Sequence, residues 1–260
     1  GFVKNKVMEF VGPGVENLSV DFRNGIDVMT TETTCLSSIW CTDKKVEDFL
    51  ELHGRKSDYK ELLPGKVACY DALVKVDLSK IEPVMALPFH PSNVYTIEEV
   101  KNDPHEIFAK VEEDAKELFS NTDIDFKLTD KIKDGNIVVD QGVVGGCSGG
   151  TYENLLAVGK ILAGKDIGCE EFALSVYPSS QPEYYELNKR GIINNLLEAG
   201  ASVKTAICAP GLGSGDVPAN KALSIRHTTR NFPNREGSIP KDGQISSVAL
   251  MDARSIAATA

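Results

Sequence analysis

Between residues 136 and 207 the apolar positions come in short blocks that alternate between two rhythms. Asn136 to Val144, Phe172 to Tyr177 and Val203 to Ile207 are compact apolar runs, which predict strands. Thr151 to Leu162 and Pro182 to Ala199 carry apolar residues at helical spacing and run out at Gly164 and Gly200, which predicts two helices. Strand–helix–strand–helix–strand is the pattern of a parallel sheet with helices packed on it. Ligands of such sheets bind beyond the carboxyl ends of the strands.

Upstream the rhythm is less regular. Val7 to Val11 and Leu73 to Val76 read as short strands. Lys44 to His53 reads as a helix, with Val46, Phe49 and Leu50 at helical spacing behind two possible caps, Thr42 and Asp43. The proline-rich passage from Ile81 to Pro91 is incompatible with regular helix and is a candidate linker, dividing the chain into 1–81 and 82–260. Asp103-Pro104-His105-Glu106 is a helix start. Ile107, Val111, Ala115, Leu118 and Phe119 then form the apolar face, and Glu112-Glu113-Asp114 the solvated one.

Composition narrows the function. The chain has 260 residues, 28 basic and 38 acidic, for a net charge of −10, and 42% are hydrophobic. That balance opposes binding to nucleic acid or anionic lipid, and no apolar run is long enough for a membrane span. Any anionic ligand must be caught by a local basic site. The six cysteines lack zinc-ligand spacing and no signal peptide precedes them, so a reducing cytoplasm is expected. The chain opens on Gly1 and stops inside the helix-like run Asp252 to Ala260, which reads as a piece of a longer protein.

Two cysteines sit where the strand-end rule points. Cys147 lies within Gly145-Gly146-Cys147-Ser148-Gly149-Gly150, just before a helix. Cys208 follows the predicted strand 203–207 and enters Ala209-Pro210-Gly211-Leu212-Gly213-Ser214-Gly215-Asp216. Both are expected at adjacent strand ends, facing one cleft. Cys69 and Cys169 have no such setting. Arg230 and Arg235, in Thr228-Thr229-Arg230-Asn231-Phe232-Pro233-Asn234-Arg235-Glu236-Gly237, suit bidentate carboxylate binding, or ion pairs with acids such as Asp216 or Glu236. Glu32, alone in Met29-Thr30-Thr31-Glu32-Thr33-Thr34-Cys35, is either a base or a satisfied loop acid. His227 is the one histidine beside these groups, and Ser179-Ser180 reads as a structural turn.

Taken in order, Gly12 to Val15, Met29 to Asp43, Gly145 to Asn154, Cys208 to Gly213 and Thr229 to Arg235 resemble the aconitase superfamily of iron–sulfur hydro-lyases. The likeness is nearest its branch of uncharacterised bacterial hydratases. It implies a three-layer α/β/α domain with a parallel sheet over 82–260 and the end of an aconitase-like second domain over 1–81. Cys147 and Cys208 then resemble ligands of a [4Fe–4S] cluster, whose third thiolate position is here Gly211. Arg230 and Arg235 match arginines that hold substrate carboxylates, and Glu32 an active-site glutamate. The family's upstream Asp-Ser-His segment and its C-terminal swivel domain have no counterpart, so the isolated chain is expected to be inactive.

Three readings follow. The first is part of a hydratase or dehydratase for a small di- or tricarboxylate, one cluster iron acting as Lewis acid in the parent. The second is a non-catalytic relative, without the cluster, that serves binding or regulation. The third is a nucleotide-binding module built on Gly211 to Gly215, which lacks the full spacing of such fingerprints. Retention of both arginines and Glu32 favours the first.

Overall fold

The computed structural model describes residues 1–120, 124–168 and 172–260, and the chain forms two compact units, 1–82 and 83–260. In the first unit, β1 (Val7–Phe10) and β2 (Ser37–Trp40) pair in parallel, with Val7 opposite Ser37. Helix α1 (Val20–Thr30) connects them. Helix α2 (Lys44–Leu52) forms as expected, and Asp43 rather than Thr42 is its cap, accepting the Val46 N–H at 3.2 Å.

The only buried residues of this unit are polar, Arg23 and Thr30. Arg23 makes a bidentate pair with Asp43 and donates to the carbonyls of Val15 and Leu18 at 3.0 and 3.1 Å. One guanidinium thus joins the turn before α1 to the start of α2. The strand expected at Leu73 to Val76 does not form. Residues 59–77 hold neither helix nor strand, and Leu73 is 83% exposed, with no neighbour to complete a ladder.

The second unit begins with β3 (Val84–Ala86), β4 (Val94–Thr96), α3 (Ile97–Asn102) and α4 (Pro104–Leu118). The small hairpin β5 (Ile132–Lys133) and β6 (Asn136–Ile137) leads to β7 (Gln141–Gly145), α5 (Gly146–Gly149) and α6 (Tyr152–Ile161). Then come β8 (Ala173–Tyr177), α7 (Gln181–Lys189), α8 (Ile192–Glu198), β9 (Ser202–Val203), β10 (Leu223–His227), β11 (Ser247–Met251) and α9 (Ala253–Thr259). Seven strands form one sheet in the order β4-β3-β11-β10-β7-β8-β9. The run β11-β10-β7-β8-β9 is parallel, while β3 pairs antiparallel with both β11 and β4. The unit is an α/β fold around a mostly parallel sheet, as the alternation predicts.

The period of two along the strands separates two chemistries. Val144, Leu174, Val176, Leu223, Ile225 and Ala249 point into one apolar core with α4, α6, α8 and α9. Their neighbours Gln141, Ser224 and Arg226 are joined by hydrogen bonds, and Tyr177 is bonded to Asp216. That polar network belongs to the site.

Several elements differ from expectation. The passage 81–91 is not a linker beyond Glu82: Val84–Ala86 joins the main sheet and Leu87 is fully buried. The helix expected over 182–199 breaks at Gly191, whose φ of 75° ends α7 and starts α8. On α4, Phe108 is buried and Leu118 is 57% exposed. Glu112 is not merely solvated, because it accepts both the N–H and the hydroxyl of Thr129 at 2.7 Å. The strand expected at 203–207 stops at Val203.

Candidate functional site

Cys147 stands on the tight turn between β7 and α6. Gly146 takes a φ of +72°, which only glycine adopts without strain, and Gly149 and Gly150 let the turn press onto the neighbouring strands. A Cβ on Gly149 would lie 2.0 Å from the His227 carbonyl oxygen, and one on Gly150 2.1 Å from that of Tyr177. The glycines around the cysteine therefore serve close backbone approach to β10 and β8. Cys147 itself is left exposed.

Cys208 reaches the same place by another route. It does not end a strand, and β8 separates β9 from β7, so the two cysteines are not on adjacent strand ends. Instead the chain continues past Val203 and turns at Ala209–Leu212, which packs against α5. The buried Arg226 fixes this loop. Its guanidinium donates to the carbonyls of Pro210 at 3.2 Å and Asp216 at 2.7 Å, to Gln141 Oε1 at 2.9 Å and to Ser224 Oγ at 2.9 Å. Burial lowers Arg226 to about 10, with Glu236 and Asp216 opposing, so it stays charged at neutral pH. The Tyr177 hydroxyl donates to the Asp216 carboxylate and closes the loop. Nothing in the spacing marks Arg226 as an anchor: within the run Leu223 to His227 it reads as one more strand residue.

The Cys147 and Cys208 thiols are neighbours. Burial pushes the Cys147 thiol up, and Cys208 pushes it further, while its own backbone amide and the charge of Arg230 pull it down. Cys208 and Arg230 therefore both bear on the Cys147 thiol. Asn231 holds the arginine loop in place, donating through Nδ2 to Leu87 O at 2.8 Å and Ala86 O at 3.2 Å. Phe232 meets His90 edge to face with ring centroids 5.2 Å apart. The backbone of Arg235 lies against Gly213, whose Cβ would fall 2.8 Å from Arg235 O. Hydroxyls engage the two nearby acids: Tyr177 donates to Asp216, and Ser238 and Ser246 donate to Glu236.

Glu32 belongs to the first unit, on the 3-10 turn Thr31–Thr33. His227 is structural: its Nδ1 accepts the Ala253 N–H at 3.0 Å, satisfying the start of α9, and burial lowers its pKa. Ser180 caps α7 through Glu183 N. Cys69 is exposed on residues without regular structure, and Cys169 lies outside the described residues.

Comparison with known proteins decides what lineage built this site. The family model for the aconitase family (aconitate hydratase) matches residues 1–258. The chain belongs to the aconitase family. It is 29% identical over 255 residues to the 3-isopropylmalate dehydratase large subunit of Clostridioides difficile, covering 96% of this chain and 52% of that protein. It is 27% identical over 250 residues to the 2,3-dimethylmalate dehydratase large subunit of Eubacterium barkeri, covering 96% of this chain and 51% of that one. The chain thus spans about half the length of the curated relatives it matches.

Family membership raises the expectation of a [4Fe–4S] cluster, which takes thiolate ligands from the protein. Cys147 and Cys208 are neighbours, position 211 is glycine, and no group of three His, Cys, Asp or Glu side chains placed to hold a metal occurs among the described residues. Nor is any helix among them long and apolar enough to cross a membrane.

Proposed function

We propose that this chain is part of an aconitase-type hydro-lyase, and that its second unit binds the carboxylates of a small hydroxy-acid substrate. The observation that carries the reading is the action of Arg230 on Cys147, beside Cys208, at one end of a parallel sheet. A guanidinium on a loop that Asn231 anchors, on an acidic chain, matches a carboxylate in charge and in fork geometry. Arg235, five residues on in the same anchored loop, is the second carboxylate-binding group of this reading. Glu32 is the candidate acid that family resemblance implies, and we read the first unit, which carries it, as the end of an aconitase-like second domain and the second unit as most of the third.

The names of the relatives narrow the ligand. Both act on malates bearing alkyl groups, so we assign an alkyl-substituted malate or a related di- or tricarboxylate here. Two thiolates do not hold a cluster in the family manner, so this reading gives the chain carboxylate binding and no iron chemistry of its own. Gly211 favours a second reading, a binding protein of aconitase descent that has left iron chemistry behind. Free thiols at 35, 41, 69, 147 and 208 suit a cytoplasmic setting for either.

Titration calorimetry with 3-isopropylmalate, 2,3-dimethylmalate and citrate tests the carboxylate site. Binding of at least one is expected, and Arg230→Ala or Arg235→Ala should weaken it by about 2–5 kcal/mol, the range for truncating one partner of a buried charge pair. Equal affinity in wild type and both variants rejects the assignment. Hydration or dehydration assays on the full-length parent with the same ligands separate the two readings.

A further inference from the structure

The glycines that follow Cys208 are not equivalent. Gly213 and Gly215 hold φ of +71° and +82°, and a Cβ on Gly213 would lie 2.8 Å from Arg235 O and 3.0 Å from Gly237 N. The backbone demands glycine at 213 on both counts. Gly211 is different. Its φ lies outside the left-handed region, and a Cβ built on it meets a single atom within 4 Å, the Cys208 sulfur, at 3.6 Å. That is ordinary van der Waals contact. Neither backbone conformation nor crowding keeps a glycine at 211, and the side chain it lacks would start beside Cys208.

We propose that position 211 is an open corner of the Cys147–Cys208 site. With glycine there the chain presents a dithiol that does not retain a [4Fe–4S] cluster, and a cysteine there completes a three-thiolate set. The inference rests on reading Cys147 and Cys208 as thiolates of cluster-ligand descent. The turn Ala209–Leu212 packs against α5, which carries Cys147, so a thiol at 211 enters the neighbourhood that already holds the other two. Arg226 grips that turn through Pro210 O, a main-chain atom, so the grip does not depend on the side chain at 211. Both existing thiols are exposed, leaving their outer side open to an inorganic group. His227 cannot stand in, since Nδ1 is committed to Ala253.

The test is anaerobic reconstitution of the 260-residue chain with ferric iron, sulfide and a thiol reductant, followed by desalting. Wild type, Gly211→Cys, Gly211→Ala and Gly211→Cys/Cys147→Ser are compared by iron and acid-labile sulfide content and by thiolate-to-iron charge-transfer absorption. Gly211→Cys is expected to hold about four irons and four sulfides per chain, and the other three less than half of that. Four irons and four sulfides on wild type would overturn the proposal, and this arm requires no variant to fold. It is equally overturned if a Gly211→Cys protein with wild-type circular dichroism gains no iron, or stays locked to Cys208 as a disulfide in the reductant. Carboxylate calorimetry on wild type reads the arginine site without iron, so failure here and failure of the carboxylate reading are separate results.

Discussion

Arg226, only 1% exposed, donates through Nη2 to the main-chain oxygen of Asp216 at 2.7 Å beneath the loop it holds. The same group reaches the Pro210 carbonyl, so one side chain fixes both ends of the segment that follows Cys208. Removing it takes the donor from the Pro210 carbonyl and the Ser224 hydroxyl, each worth about 1–3 kcal/mol, while Gln141 Oε1 keeps the Ser224 hydroxyl and the Asp216 carbonyl keeps Gln141 Nε2. Arg226→Ala should therefore destabilise the chain by about 3 kcal/mol or more. Urea denaturation read by tryptophan-independent circular dichroism measures this, and a loss below about 1 kcal/mol would contradict the anchoring role.

What was legible in the sequence was local, and what was not depended on partners far along the chain. The cap at Asp43 and the stops at Gly164 and Gly200 follow rules that operate within a few residues, and they form as expected. Val203 to Ile207 has strand composition, but β9 ends at Val203 and the chain leaves for the loop that Arg226 holds. The pairing of Cys147 with Cys208 followed from the resemblance and the strand-end rule, yet the rule supplied the wrong neighbours, because β8 lies between the strands concerned. Phe108 displaced Leu118 from the core because the rotation of α4 is set by what packs on it, and helical period alone leaves that choice open.

The glycines around Cys147 give a graded mutational series. Gly149→Ala and Gly150→Ala place a methyl about 2 Å from a strand carbonyl oxygen, so the sheet ends must separate. Each should cost several kcal/mol, at the severe end of point mutations, about 4 or more. Gly164→Ala meets open space and suffers only its φ of +69°, a cost of about 1–2 kcal/mol. Thermal melting ranks the three. Similar melting temperatures for Gly149→Ala and Gly164→Ala would show that the turn is not pressed onto β10.

Asp43 gives the first unit an acid-sensitive joint. Burial opposes its ionisation, but the hydrogen bonds from Arg23 and Val46 outweigh that and hold the carboxyl below its usual range. A lowered folded pKa means stabilisation that is present above the unfolded value, about 3.9, and lost as pH falls through the folded one. The turn before α1 and the start of α2 should loosen together below about pH 4. Hydrogen exchange at Val46 and the amides of α2, followed down the acid limb, reads this. In Asp43→Asn the pH dependence there should flatten, and an unchanged acid limb would assign it to other carboxyls.

Alkylation of Cys147 reports the geometry on which the functional reading stands. Burial and the neighbouring Cys208 raise its pKa, and Arg230 lowers it. The thiolate is the reactive form, so at pH 8 Cys147 should react with iodoacetamide more slowly than a free small-molecule thiol. Arg230→Ala removes a stabilising charge and should slow the reaction further. Cys208→Ser removes a neighbour that disfavours ionisation and should speed it. Peptide mass spectrometry of the fragment containing Cys147 gives the rate without interference from the other thiols. A saturating dicarboxylate paired with Arg230 should reproduce the effect of Arg230→Ala in wild type and do nothing in the variant. Identical rates in wild type and Arg230→Ala, with or without the dicarboxylate, would remove Arg230 from the site and take the carboxylate reading with it.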